Sequence, residues 1–262
     1  MFSQQAKHFL VAFRHLSFLS AGPSSPADPE ELGHSTIYFP LVGFLLGLGL
    51  MVFYYGLSGV LGHEVVCLLI LFLMFLFFNG KQYRACVGFM EHLSGPAPRP
   101  AGESAAAFGN DVSRIAVLFF LFMLKFLALL HVGEGWMAGM LVLLPTFSCW
   151  SLVYLNHSLA FTAMANNARV PYLRFVKARE FWGATFFTTV AAVLFLELKG
   201  LFLLMLVSLW TAVFERLFLL KRGGPIDAAL GVVMELNEIF LLLMAIIMRK
   251  GFLAAPAEGI FL

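Results

Sequence analysis

Gly223-Gly224-Pro225-Ile226-Asp227-Ala228-Ala229-Leu230-Gly231-Val232-Val233-Met234-Glu235-Leu236-Asn237-Glu238-Ile239-Phe240, continued by an apolar run to Met248, decides the fold. From Ile226 on, the stretch is long enough to cross a bilayer as a helix, yet Asp227, Glu235, Asn237 and Glu238 stand inside it. An ionisable group at the centre of a membrane helix costs roughly 2.5–3.5 kcal/mol on insertion scales, so such a group faces a protein interior or a wet cavity rather than lipid. Glu235 and Glu238 are three residues apart and share one face of a helix. That face reads either as a polar contact between packed helices or as part of a functional site.

The rest of the chain agrees with a membrane setting. Of 262 residues, 61% are hydrophobic and 12% charged, against about 25% charged in soluble domains. The mean hydropathy is +0.89. Seven stretches approach the roughly 20 apolar residues that a spanning helix needs. The apolar runs are continuous and do not alternate, which excludes a transmembrane β-barrel. The expected fold is therefore an all-α, polytopic integral membrane helical bundle of about seven transmembrane helices plus an N-terminal amphipathic helix, in one membrane-embedded domain over residues 1–262. A formal charge of +2 gives no basis for binding nucleic acid. Cys67, Cys86 and Cys149 lack metal-knuckle or disulfide-framework spacing.

Residues 1–20 are too polar to span. Phe9, Phe13 and Leu16 recur one turn apart, with Lys7 and Arg14 on other faces, which predicts an amphipathic helix on the membrane surface or packed against the bundle. The expected spans are Ile37–Leu61, Val65–Phe78, Val112–Val132, Trp136–Leu155, Phe181–Leu196, Leu201–Leu220 and the opening stretch. Gly43 and Gly47 form a GxxxG pair in the first of them, which permits close helix contact. Lys125 lies mid-span in the third and needs a counter-charge; Glu235 or Glu238 is the expected one. Residues 79–111 and 156–180 read as long polar connections. With 1–36 and 221–224 they hold nearly all the Lys and Arg outside the spans, so the N-terminus and both long loops are expected on the cytoplasmic side of a bacterial-type inner membrane. Arg249-Lys250 sits on the wrong side of a seven-span arrangement, which leaves six or eight crossings open.

Two sets of residues carry a resemblance. Ala12-Phe13 through Ser17 and Tyr38-Phe39-Pro40-Leu41-Val42-Gly43, followed by Leu45-Leu46-Gly47, resemble the N-terminal part of the cobalamin 5'-phosphate synthases, or adenosylcobinamide-GDP ribazoletransferases. Gly223-Gly224, Leu230-Gly231 and Glu235-Leu236-Asn237-Glu238 resemble that family's C-terminal motif. The resemblance implies a membrane enzyme that joins adenosylcobinamide-GDP to α-ribazole or its phosphate and releases GMP, with Mg²⁺. Such phosphoryl transfer needs the developing charge neutralised and the reactants held in line. The family supplies metal-holding Asp residues on one helical face after its second span.

This chain departs from the pattern there. Aligned on Ser94-Gly95, the three Asp positions are Tyr83, Val87 and Met90, and the family's His position is Lys81. None offers the carboxylate oxygens that Mg²⁺ prefers. Two family Arg positions fall on Phe18 and Cys149, and a Pro position on Ser20. Asp111 with Ser113-Arg114 resembles the family's Asp-Ser-Arg with one residue inserted. Asp227 lies one residue before the expected C-terminal Asp position, which is Ala228. Under the resemblance, Glu235, Glu238, Asp111 and Arg114 are the candidate catalytic residues, and Asp227 and Lys125 the candidate binding residues. Losing three acids from one face predicts weakened or lost catalysis. Partners implied are membrane lipid, adenosylcobinamide-GDP and α-ribazole, and either an active synthase or a second copy of the chain. The competing reading is a membrane transport or binding component, in which Asp227, Glu235, Glu238 and Lys125 mark a path across the bilayer.

Overall fold

The computed structural model describes residues 2–17, 28–78, 80–94, 104–161, 170–220 and 226–254. Nine α-helices follow one another in that part of the chain: α1 (Phe2–Leu16), α2 (Pro29–Ser35), α3 (Phe39–Leu57), α4 (His63–Phe77), α5 (Lys81–Ser94), α6 (Ser104–Leu130), α7 (Glu134–Ala160), α8 (Ala178–Phe214) and α9 (Ile226–Ala254). No strand occurs among the described residues. Pro29 sits in the first turn of α2, where its missing N–H costs nothing, and the Asp28 carboxylate caps the helix by accepting from the Glu30 amide at 3.2 Å.

The bundle is built around α7, which is buried along most of its length and packs against α3, α8 and α9. The α3–α7 seam explains the GxxxG pair. A Cβ at Gly43 would lie 2.4 Å from the Pro145 carbonyl oxygen, and one at Gly47 would lie 2.6 Å from Val142 Cα. Pro145 has no N–H to offer the Leu141 carbonyl, and Gly47 lies against that carbonyl. Without a hydrophobic drive between helices in lipid, such backbone proximity supplies the van der Waals contact that holds them together.

Helix α1 is packed against the bundle. Ala12 and Leu16 are buried, Phe9 meets the Tyr38 ring edge-on at 6.2 Å, and Phe13 meets Phe77 at 6.1 Å. Lys7 pairs with Glu31 of α2.

The chain is a multi-pass membrane protein. Among the described residues, four segments are long and apolar enough to span: Pro29–Leu57, Glu134–Ala160, Ala178–Leu217 and Ala228–Gly251. A fifth arises if α4 and α5, which meet at 78°, form one broken span. The expected spans Phe181–Leu196 and Leu201–Leu220 fall together in α8 and the π-helical turn Glu215–Leu220 that follows it. They remain distinct in the backbone. Glu197 has φ 53° and ψ −137°, and Gly200 packs against the Ala192 carbonyl. Eight residues of straight helix would separate those two by about 12 Å, so the chain turns back at Glu197. Residues 79–111, read as a connection, hold α5 and the first turns of α6.

Candidate functional site: a buried ion cluster and the cavity beside it

Helix α5 lies against α9, and the contact is close. A Cβ at Gly231 would come 2.3 Å from Ala85 Cβ. Helix α6 also packs on α9, so α5, α6 and α9 enclose a polar cluster in an apolar setting. Lys125 of α6 donates to Glu235 Oε2 at 2.8 Å and is ion-paired with Glu238 as well. Gln82 of α5 donates from Nε2 to Glu238 Oε1 at 3.1 Å. Lys125 Nζ lies 6.0 Å from the centre of the Tyr83 ring, within cation–π range. Both carboxylates are 0% exposed and the lysine 2%. One ammonium stands between two carboxylates, so with both acids ionised the cluster keeps one excess negative charge, and Glu235 Oε1 has no hydrogen-bond partner among the described residues. Next to it, Asn237 Nδ2 donates to Thr211 Oγ1 of α8 at 3.0 Å, which ties α9 to a third partner.

The positions that match the family's Asp face elsewhere. Tyr83 and Val87, with Arg84, line an open groove of about 400 Å³ whose other walls are Phe75, Leu76, Gly80 and Leu118. Met90 follows on the same helix. A divalent cation needs several hard oxygen ligands, which a phenol, a valine and a thioether do not supply. Glu235 and Glu238 share a single cation, Lys125. Among the described residues no group of three His, Cys, Asp or Glu is placed to hold a metal. The residues therefore do not fit Mg²⁺ in the way the family motif would.

A second cavity, of about 260 Å³, opens on the other face of α5. Its polar lining comes from His15, Lys81, Gln82, Asn156 and Tyr172. Lys81 donates to the His15 carbonyl, and the His15 ring stacks on Phe39 with centroids 5.8 Å apart. His15 is exposed as a whole residue and also lines the cavity. Desolvation, and then the Lys81 charge, hold its pKa below the ordinary histidine value, so the ring is neutral at pH 7. Burial pushes the Tyr172 hydroxyl up and keeps it a donor. It donates to Asn156 Oδ1 at 3.5 Å.

Of the residues singled out in the sequence, Lys125, Glu235 and Glu238 are brought together. Arg114 lies on α6, about three turns before Lys125. Asp111 also lies on α6 and Asp227 in the first turn of α9; their side chains, and Phe18, Ser20, Gly223 and Gly224, are outside the described residues. Gln82, Asn156 and Tyr172 had no signal of their own in the sequence, because polar residues near helix ends are ordinary.

Comparison with known proteins bears on the same regions. The family model for cobalamin-5-phosphate synthase matches residues 8–81. The adenosylcobinamide-GDP ribazoletransferase of Geotalea daltonii is 30% identical over 240 residues, covering 90% of this chain and 95% of that protein. The one from Syntrophobacter fumaroxidans is 27% identical over 253 residues, with 90% and 96% covered, and the one from Clostridium tetani 23% identical over 239 residues, with 90% and 94% covered. No solved structure matches.

Proposed function

The chain belongs to the adenosylcobinamide-GDP ribazoletransferase family, and on that premise we propose that it is a member which keeps the membrane scaffold for this step of cobalamin assembly while its transfer chemistry is weakened or lost. One observation carries the proposal: the carboxylate pair nearest α5 is closed by Lys125 inside the protein. Displacement at a diphosphate generates negative charge that must be met by preorganised cations. In this chain the buried ammonium is committed to two carboxylates. Tyr83, Val87 and Met90 stand where the family places its Asp, and none of them can replace the missing charge control.

In this reading the protein works beside an active synthase or holds cobamide intermediates at a bacterial inner membrane, with about seven crossings and its N-terminus, with residues 79–111 and 156–180, on the cytoplasmic side. Glu235, Glu238, Asp111 and Arg114 are the catalytic positions in this reading, and Asp227 and Lys125 the binding positions. The test is GMP release by the purified full-length chain given adenosylcobinamide-GDP, α-ribazole phosphate and Mg²⁺, with the Geotalea daltonii protein assayed in parallel. Release at background is expected. A rate comparable to that of the relative would overturn the proposal.

A further inference from the structure

The chain turns sharply between α4 and α5. Gly80 has φ 58°, a conformation that glycine adopts without strain, and the two helices meet at 78°. The bend leaves the open groove of about 400 Å³ between the end of α4, the first turns of α5 and Leu118 of α6. Its walls are apolar. Phe75 and Leu76 are 40% and 39% exposed, and the Phe75 and Tyr83 rings meet with centroids 5.4 Å apart. Tyr83 and Val87 stand where the resemblance places acids, so the residues that replace those acids are what makes this wall apolar. Arg84 supplies positive sign, and among the described residues no acid lines the groove. Helix α9 fixes the depth of that arginine. Gly231 meets Ala85, and Gly88 meets Ala228. Arg84 therefore lies level with the first turn of the span Ala228–Gly251, where lipid headgroups adjoin hydrocarbon and a long basic side chain keeps its charge at the interface.

We propose that this groove is a binding site for one anionic phospholipid, with its phosphate on the Arg84 guanidinium and the start of an acyl chain against Phe75, Leu76, Val87 and Leu118. A guanidinium carries five donors in a planar fork that matches phosphate, so it meets a lipid phosphate alongside the contact Arg84 makes within the protein. A phosphatidylcholine headgroup brings its own cation next to Arg84, and phosphatidylglycerol does not. The difference amounts to about fivefold in affinity, the scale of one basic residue at a membrane surface. The groove holds the glycerol–phosphate end and the first carbons of a chain, whose remainder stays in the bilayer. Gln82, next to Tyr83 on α5, holds Glu238, so a lipid seated here also steadies the helix that closes the ion cluster. The inference goes beyond the family reading and needs neither of that family's reactants.

Native mass spectrometry of the full-length chain, released from detergent micelles carrying equal amounts of phosphatidylglycerol and phosphatidylcholine, tests this. A single retained phosphatidylglycerol is expected, favoured about fivefold over phosphatidylcholine. Arg84→Gln should abolish the preference while Arg84→Lys keeps most of it, which separates loss of charge from loss of fold. Leu118→Trp, which fills the groove, should lower retention of both lipids. Arg179 is exposed on the first turn of α8, away from the groove, and Arg179→Gln should leave the preference intact. Phosphatidylglycerol should also raise the melting temperature of the parent chain, and that of the Leu118→Trp protein far less, because a ligand that binds only the folded state stabilises it. Equal retention of the two lipids by the parent overturns the proposal. So does a preference unmoved by Arg84→Gln, one lowered as much by Arg179→Gln, or displacement of the lipid by inorganic phosphate alone. GMP release in the assay above bears on the transfer chemistry and leaves this assignment untouched.

Discussion

Two polar regions meet helix α5, one on either side of its contact with α9, and they have been solved in opposite ways. Around Lys125 the protein brings its own counter-charges and shuts them in: Glu235, Glu238 and Gln82 answer one another within the bundle. Around Asn156 the protein leaves a donor unanswered and keeps a cavity in front of it. The first arrangement gathers opposite charges, although Glu235 Oε1 finds no hydrogen-bond partner among the described residues; the second leaves a neutral amide nitrogen in the same position.

The largest way to break this contrast is Lys125→Met. It leaves two carboxylates buried without their cation, and breaking a buried ion pair costs about 3–5 kcal/mol. A steep fall in thermal stability of the detergent-purified protein is expected, with part of it restored by adding Glu235→Gln or Glu238→Gln. A Lys125→Met protein as stable as the parent would show that the cluster is not the structural lock described. Next comes Gly231→Val. Its side chain would drive α5 from α9 at Ala85, at a cost of about 1–3 kcal/mol for overpacking. Because that seam separates the two regions, α5 amides should lose hydrogen-exchange protection; unchanged protection would mean the seam is looser than the structure has it.

Smaller still is Asn237→Ala, which removes the bond to Thr211. Interhelical hydrogen bonds in membranes average about 0.6 kcal/mol, so a slight drop in melting temperature is expected, far below that of Lys125→Met. The smallest effect belongs to His15. Its folded pKa is lowered from 6.5 to about 4. The unfolded chain therefore takes up the proton first on acidification, and the stability present above pH 6.5 is lost as the pH falls from 6.5 toward 4. His15→Gln should flatten that part of the stability profile relative to the parent protein. Identical profiles would place the ring in ordinary solvent.

What could be read beforehand follows from how local each signal was. Lys125, Glu235 and Glu238 stand out against hydrocarbon-like neighbours, and three charges in two apolar segments have few ways to be neutralised, so their meeting was legible. The role of Gly43 and Gly47 was legible from their spacing, and the face they meet, Val142 to Cys149 of α7, was not. Helix α5 was hidden because Lys81, Gln82, Arg84, Glu91 and His92 give it the polarity of a connection. The Asn156 cavity was invisible because α1, α5, α7, the Pro171–Phe175 turn and α9 each give it one or a few residues. The break between the spans expected at Phe181–Leu196 and Leu201–Leu220 agrees with the reversal at Glu197.

Lys125 and Glu235 lie 110 positions apart. During synthesis α6 leaves the ribosome long before α9 exists, and its ammonium enters or borders lipid with no counter-ion yet made. Completion of the C-terminal helix is thus the event that discharges the N-terminal half. A polypeptide truncated ahead of Ile226 lacks both carboxylates with which Lys125 pairs.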